Sequence, residues 1–235
     1  QAPWSAGWFD AALVLYAYAF QIYFDFSGYT EIAMGLAGLL GFRLPENFDH
    51  PYLSASPSEF WRRWHISLST WLRDYLYVGL GGNRRSARRT YCNLLLTMVL
   101  GGLWHGAAWT FVLWGTFHGL WLAVHRLMDG DRPPRTPRFV RCVVTFHLVA
   151  LGWVVLRAGT KATAGAVVAA LGHPWVVNGP FPLGTIALVG LGFVTHALGR
   201  RASVVERWSR LPLVVQGAGY GVIAAWVIVF SARSG

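Results

Sequence analysis

Apolar residues run almost unbroken from Trp8 to Phe42, interrupted in the middle by Asp25, Ser27, Gly28, Thr30 and Glu31. As one helix this stretch would be about 52 Å long, against roughly 30 Å of hydrocarbon in a bilayer. The pattern therefore predicts two helices, or one crossing followed by a partly buried turn. The segment 43–58 carries three prolines among Asn, Asp and Ser and reads as a loop. Ser56-Pro57-Ser58-Glu59 is then a capping box with proline at the first helical position. Phe60, Trp61, Trp64, Leu68, Trp71, Leu72, Tyr75 and Leu76 follow at helical spacing, and Gly79, Gly81 and Gly82 close the element. One capped amphipathic helix is expected over residues 57–78, at a membrane interface or packed inside a bundle.

From Thr90 to His125 there is no Asp, Glu, Lys or Arg. At ~1.5 Å per residue this makes a rod of roughly 54 Å, too long for one crossing, and basic clusters flank both ends. A broken helical pair is expected over residues 90–127, with a turn from Gly101 to Ala107 that carries Trp104 and His105. Backbone that is not helical at that depth must be surrounded by protein or line a watery cavity, so the turn is expected to line a cavity. Further spans are expected near Phe139–Leu156, Pro182–Leu198 and Leu213–Phe230, and no internal repeat is seen.

Composition sharpens the class. Of 235 residues, 54% are hydrophobic, 15% aromatic and only 13% charged, where a soluble domain has roughly a quarter charged. A soluble domain of this size cannot hide so much apolar area. The fold class is therefore an all-α polytopic membrane protein, with residues 1–235 a single membrane domain. The net charge of +10 comes from 20 basic residues, all but Lys161 arginine. They cluster in gaps between apolar spans, at Arg84–Arg89, Arg126–Arg141 and Arg200–Arg210, which is what the positive-inside rule produces. A nucleic-acid partner is not expected, because that requires a basic face on a soluble module. The partner this pattern implies is the lipid bilayer. The chain opens at Gln1 with no leader pattern, so it is expected to be a piece of a longer protein whose N-terminal spans are missing.

His105 is the leading chemical candidate, since an ionisable group in a charge-free span is costly and imidazole moves protons near neutral pH. Its alternative is a neutral histidine bonded to a helix carbonyl. His65 falls on the shoulder of the buried face of the capped helix, at about 100° per residue, where it either acts or anchors among tryptophans. His118 and His125 stand seven apart on one helix face, about 10.5 Å along it, too far to share one metal, so no metal site is expected. His118 either supports His105 or packs. His50, His147, His173 and His196 are assigned to packing. Asp25 and Glu31 are expected to pair with arginines of the capped helix or to line a substrate path. Gly79–Asn83 is only loosely like a phosphate loop, and no G-x-S-x-G elbow occurs.

Several runs carry a resemblance: Tyr23–Tyr29 (YFDFSGY), Gly41–Phe48 (GFRLPENF), Glu59–Tyr77 (EFWRRWHISLSTWLRDYLY), Gly81–Arg84 (GGNR) and Gly102–Gly106 (GLWHG). Together they closely resemble the membrane-bound O-acyltransferases, and within them the bacterial alginate O-acetylation branch. The likeness is dense over residues 16–127; beyond 130 only the hydropathy agrees. It implies a helical bundle around a transmembrane tunnel in the bacterial inner membrane, crossed by several passes. It implies His105 as the catalytic residue and His65 as the second signature position. The implied reaction moves an acyl group from a cytoplasmic thioester, such as acetyl-CoA or an acyl carrier protein, to a hydroxyl. The acceptor would be an extracytoplasmic polysaccharide or a partner protein such as a periplasmic or extracellular acetyltransferase. No bound cofactor is implied. Arg62, Arg63 and Arg73 are candidates for the donor phosphate, with lipid headgroups the alternative. Trp64, Trp104, Asp25, Asn47 and His118 complete the candidate substrate-binding set. Two rival functions are a transporter or channel with a histidine proton relay, and a non-catalytic membrane scaffold for a periplasmic acetyltransferase.

Overall fold

The apolar run that opens the chain is a single helix, α1 (Trp8–Leu39), in a computed structural model that describes residues 8–129, 136–157, 183–199 and 207–219, with residues 165, 169 and 221. The break expected near Asp25–Glu31 does not occur. Thr30 donates its hydroxyl to the Ser27 carbonyl at 2.8 Å, and Ser27 donates to the Phe24 carbonyl at 3.5 Å. These polar side chains close onto the helix's own carbonyls, so α1 carries them without a turn. Its first half is buried through Ala11, Leu15, Ala19 and Phe20, while Tyr29, Ile32, Leu36 and Leu39 in the second half are exposed.

A short 3-10 turn, Pro51–Leu53, leads into α2 (Pro57–Arg63). The cap forms as the sequence predicts, with Ser56 Oγ accepting from the Glu59 N–H at 3.1 Å. Glu59 then accepts from the Ala55 N–H at 2.8 Å. The continuous helix expected over 57–78 is corrected, because α2 stops at Arg63. Trp64 is extended, His65 is left-handed (φ 44°, ψ 58°), and α3 (Ile66–Trp71) starts afresh before a π-helical stretch, Leu72–Tyr77. The reason is tertiary. Phe48 pairs with Trp64 in an antiparallel bridge, flanked by Asp49 N–H to the Arg63 carbonyl and Ile66 N–H to the Asn47 carbonyl, each 3.0 Å. This ribbon takes backbone groups that a continuous helix would have used.

The expected helical pair forms as α4 (Ala87–His105) and α5 (Trp109–Asp129). Its turn lies at residues 106–108, later than expected, and Gly101 and Gly102 stay inside α4 as buried positions. The seam explains why they are glycines. A Cβ on Gly102 would stand 2.3 Å from the Phe111 carbonyl oxygen, and one on Gly115 would stand 2.3 Å from that of Met98. Small residues at such a seam let two helix backbones approach closely. Before α4, Gly81 and Gly82 take positive φ (103° and 54°), and Asn93 of α4 donates to the Leu80 and Gly82 carbonyls at 3.3 and 3.0 Å. The glycine loop is thus a structural connector tied to α4.

Helix α6 (Arg138–Arg157) packs its Phe146, Val149, Ala150 and Trp153 into an aromatic core with Phe20, Tyr52, Phe60, Trp64 and Trp114. Each such side chain fully removed from water contributes about 1.5–3 kcal/mol. Tyr52 donates to the Ala19 carbonyl at 2.5 Å, and Glu59 takes Arg138 of α6 at 2.7 Å and Arg63 at 2.9 Å. Helix α7 (Leu183–Gly199) meets this core through Phe193, 4.8 Å from Phe20 between ring centroids. The described residues after Phe193 belong to a second unit, in which Gln216 donates to the Leu211 carbonyl at 2.7 Å.

Among the described residues, Arg138–Leu156 is the helix long and apolar enough by length and composition to cross a membrane; Leu183–Leu198 is apolar but shorter. The pair expected to cross, α4 and α5, forms as helices, but α4 carries Arg88, Arg89, Asn93 and two threonines. Most of the span expected at Leu213–Phe230, and all but residues 165 and 169 of 158–181, lie outside the described residues.

Gly115→Val places a branched side chain against the Met98 backbone. It is expected to cost about 1–3 kcal/mol, read as a lower melting midpoint of the detergent-solubilised protein, whereas Ala108→Val in the exposed turn leaves that midpoint unchanged.

Candidate active site

Three elements bring their signature residues to one place. The αL conformation of His65 turns its ring toward α1 and α4. The ring meets Phe26 edge-on at 4.8 Å and lies 6.4 Å from Trp104, all between centroids. Trp104, on the last turn of α4, meets His105 at 5.0 Å. His105 is the final residue of α4 and stands edge-on to Trp114 of α5 at 5.3 Å. Trp114 in turn meets His118 at 5.0 Å. A row of rings thus runs His65, Trp104, His105, Trp114, His118, half-buried at His65, exposed at Trp104 and His105, and buried at Trp114 and His118.

The gradient in exposure separates roles. His105 is exposed and makes no side-chain hydrogen bond among the described residues. Trp104 is 64% exposed beside it. His118 is 0% exposed, enclosed by Trp61, Trp114, Trp121 and Trp153. It is a wall of the site and offers no surface to a substrate. The same holds for Trp64, 5% exposed and stacked on Phe60.

His65 is half-buried, and its setting holds the imidazole down to about 4 from an ordinary 6.5. Burial is the main cause, and the neighbouring His105 adds to it. His65 is therefore neutral wherever the protein works near neutral pH. Asn47 supports this residue rather than standing free. Its carbonyl accepts from the Ile66 N–H at 3.0 Å, and its side-chain Oδ1 accepts from the Ser67 N–H at 3.1 Å and the Ser67 hydroxyl at 2.7 Å. Asn47 thus satisfies the first amides of α3 from outside the helix.

The remaining candidates sit elsewhere. Arg63 is bound by Glu59 at 2.9 Å and by Asp49 at 3.7 Å, and Arg73 is chelated by its neighbour Asp74 at 2.6 Å, so neither is a free cation for a phosphate. Arg62 is exposed. Asp25 and Glu31 are exposed on α1 and make no ion pair among the described residues, so the expected pairing with Arg62, Arg63 or Arg73 does not form. His147 is satisfied by Tyr16 at 2.6 Å and the Val143 carbonyl at 2.7 Å. His173 lies outside the described residues. Two residues escaped the sequence reading: Ser67, two positions from His65, and Trp114, which separates His105 from His118. For Trp114 the helical phase of α5 was the available signal, since Trp114 and His118 are four apart.

Residues 1–156 match the MBOAT, membrane-bound O-acyltransferase family. The chain belongs to that family. It is similar to the probable alginate O-acetylase AlgI of Azotobacter vinelandii, 57% identical over 162 residues that cover 69% of this chain and 32% of that protein. The corresponding protein of Pseudomonas aeruginosa is 58% identical over 149 residues, covering 63% and 29%. The peptidoglycan O-acetyltransferase of Helicobacter pylori is 42% identical over 163 residues, covering 68% and 31%. The chain spans about a third of the length of these curated relatives. The matched region holds all of α1–α5 and nearly all of α6, and so the whole row of rings.

Because folding makes its imidazole harder to protonate, His65 links stability to pH. An unfolded His65 takes a proton near 6.5 and the folded one only near 4, so its contribution is complete above 6.5 and is lost as pH falls from 6.5 toward 4. Melting midpoints followed from neutral pH to pH 4 are expected to fall more steeply for the parent chain than for His65→Gln.

Proposed function

We propose that the chain carries the catalytic portion of a polytopic inner-membrane O-acyltransferase. It moves an acyl group, acetyl in the first instance, from a cytoplasmic thioester to a hydroxyl of an extracytoplasmic polysaccharide or partner protein. The observation that carries this reading is the convergence of His65 and His105 on one indole, Trp104, at the mouth of the α4–α5 turn. Acyl transfer from a thioester needs a base for the hydroxyl proton and a setting poor in water, so that the thioester is not hydrolysed. An imidazole open to substrate suits the first demand, and the tryptophans that back it, Trp104 and Trp114, suit the second.

In this reading the acceptor oxygen attacks the thioester carbonyl carbon while His105 takes its proton. The tetrahedral species then expels the thiolate, the C–S bond breaks, and the imidazolium returns its proton to sulfur. His65 orients the acceptor or polarises the carbonyl. The ring row would face a tunnel through the membrane, along which donor and acceptor approach from opposite ends. Exposure of His105 and Trp104 supports that placement, as does the apolar, exposed second half of α1, which suits lipid or further helices. The alginate and peptidoglycan O-acetylating activities named for the relatives support a polysaccharide acceptor. Acetyl-CoA or an acyl carrier protein thioester is the donor class, used as substrate. With Arg63 and Arg73 internally paired, Arg62 and the Arg84–Arg89 cluster are the better phosphate contacts.

His105→Ala in the full-length membrane protein is expected to lower acetyl transfer by about 10²–10⁴-fold while membrane insertion and expression stay at parent levels. Transfer at the parent rate in that variant would exclude His105 as the base.

A further inference from the structure

Hydrogen-bond directions around Asn47 and Ser67 determine which nitrogen of His65 carries the proton. The backbone N–H of Ser67 can only donate, so the Asn47 atom 3.1 Å from it is the amide oxygen. That same oxygen lies 2.7 Å from the Ser67 hydroxyl and can only accept, so the single hydroxyl hydrogen of Ser67 points at Asn47. Ser67 Oγ is left with lone pairs toward His65 Nδ1, 3.4 Å away. A lone pair on Nδ1 would face oxygen lone pairs there, whereas a hydrogen on Nδ1 is received. Neutral imidazole carries one hydrogen, so the other nitrogen, Nε2, is bare.

We infer that Asn47, acting through Ser67, is a positioning residue that locks His65 in its Nδ1–H form and presents Nε2 as a hydrogen-bond acceptor. The backbone supports this. His65 is one of two non-glycine residues with positive φ among the described residues, a conformation held here by the Asn47 carbonyl on the Ile66 N–H and by the Phe48–Trp64 bridge. Asn47 therefore fixes both the backbone and the tautomer of one histidine, as a carboxylate or carbonyl behind an imidazole fixes ring orientation in other sites.

The inference deepens the acyl-transfer reading and rests on it for its effect on rate. Of the two roles open to His65, a bare Nε2 has no hydrogen to give a thioester carbonyl. His65 instead accepts a hydrogen bond from the acceptor substrate. As His105 takes the hydrogen of the attacking hydroxyl, the group received by His65 is a second, neighbouring donor, as a sugar with adjacent hydroxyls provides.

The test uses the full chain in lipid nanodiscs with ¹⁵N-labelled histidine, the His65 signals being identified by their loss in His65→Gln. At neutral pH the His65 Nδ1 is expected protonated and Nε2 unprotonated. Asn47→Asp, which keeps both acceptor contacts, retains that pattern; Ser67→Ala and Asn47→Leu give mixed tautomers. In full-length protein, Asn47→Leu is expected to lower kcat by about 10–100-fold with KM little changed, and Asn47→Asp to restore it. Finding hydrogen on Nε2 in the parent chain, or an unmixed Nδ1–H signal in Ser67→Ala, overturns the inference. Should Asn47→Leu fail to accumulate, Ser67→Ala and Asn47→Asp decide the matter through the same spectra. The spectra need no turnover, so parent-level activity in His65→Ala would overturn the acyl-transfer reading of His65 while the tautomer assignment stood or fell separately.

Discussion

The pairing of residues 47–49 with 63–66 is the constraint on which the arrangement of this protein rests. Helical propensity and a continuous apolar stripe run through residues 57–78, yet two backbone hydrogen bonds of 3.0 Å and the Phe48–Trp64 bridge stop α2 at Arg63. The interruption rotates everything after it. Trp64 is driven into the aromatic core, and His65, one residue later, leaves the helix surface for the space between α1 and α4. Had the helix continued, Trp64 and His65 would have followed one stripe, and the second signature histidine would not have met Trp104.

Two other features keep that junction in place. Glu59 is pulled three ways, by Arg63, Arg138 and the Ala55 N–H, and although partial burial opposes its charge, these partners hold its carboxyl below the usual range. It ties the short α2 to α6. Below it, the stack of Phe60, Trp64, Trp114 and Trp153 forms the floor on which His105 stands, with the glycine seam of α4 and α5 setting its height. The geometry of the candidate site is thus set by rigid packing beneath an open surface.

Much of this was legible in the chain and the remainder was hidden for identifiable reasons. The cap at Ser56, the pair at 90–127 and the prominence of His105 follow from local rules about capping, length and charge. The break at His65 does not, because its cause lies in Asn47, Phe48 and Asp49, far away in sequence. The turn after α4 falls later than Gly101–Gly102 suggest, because glycine marks both turns and close helix packing, and these two serve the second purpose. Asp25 and Glu31 suggested partners that Arg63 and Arg73 had already found in Glu59, Asp49 and Asp74. Nor did Ser27 and Thr30 break α1, since short hydroxyl side chains can bond their own helix.

The claim that two imidazoles on one indole work as a unit is tested most directly by a double-mutant cycle on acyl transfer, with His65→Ala, His105→Ala and the double variant measured in the same membranes. Residues acting on one transition state are strongly non-additive, so the double variant is expected to be little worse than His105→Ala alone. Losses that simply multiply would show two independent sites and contradict the account.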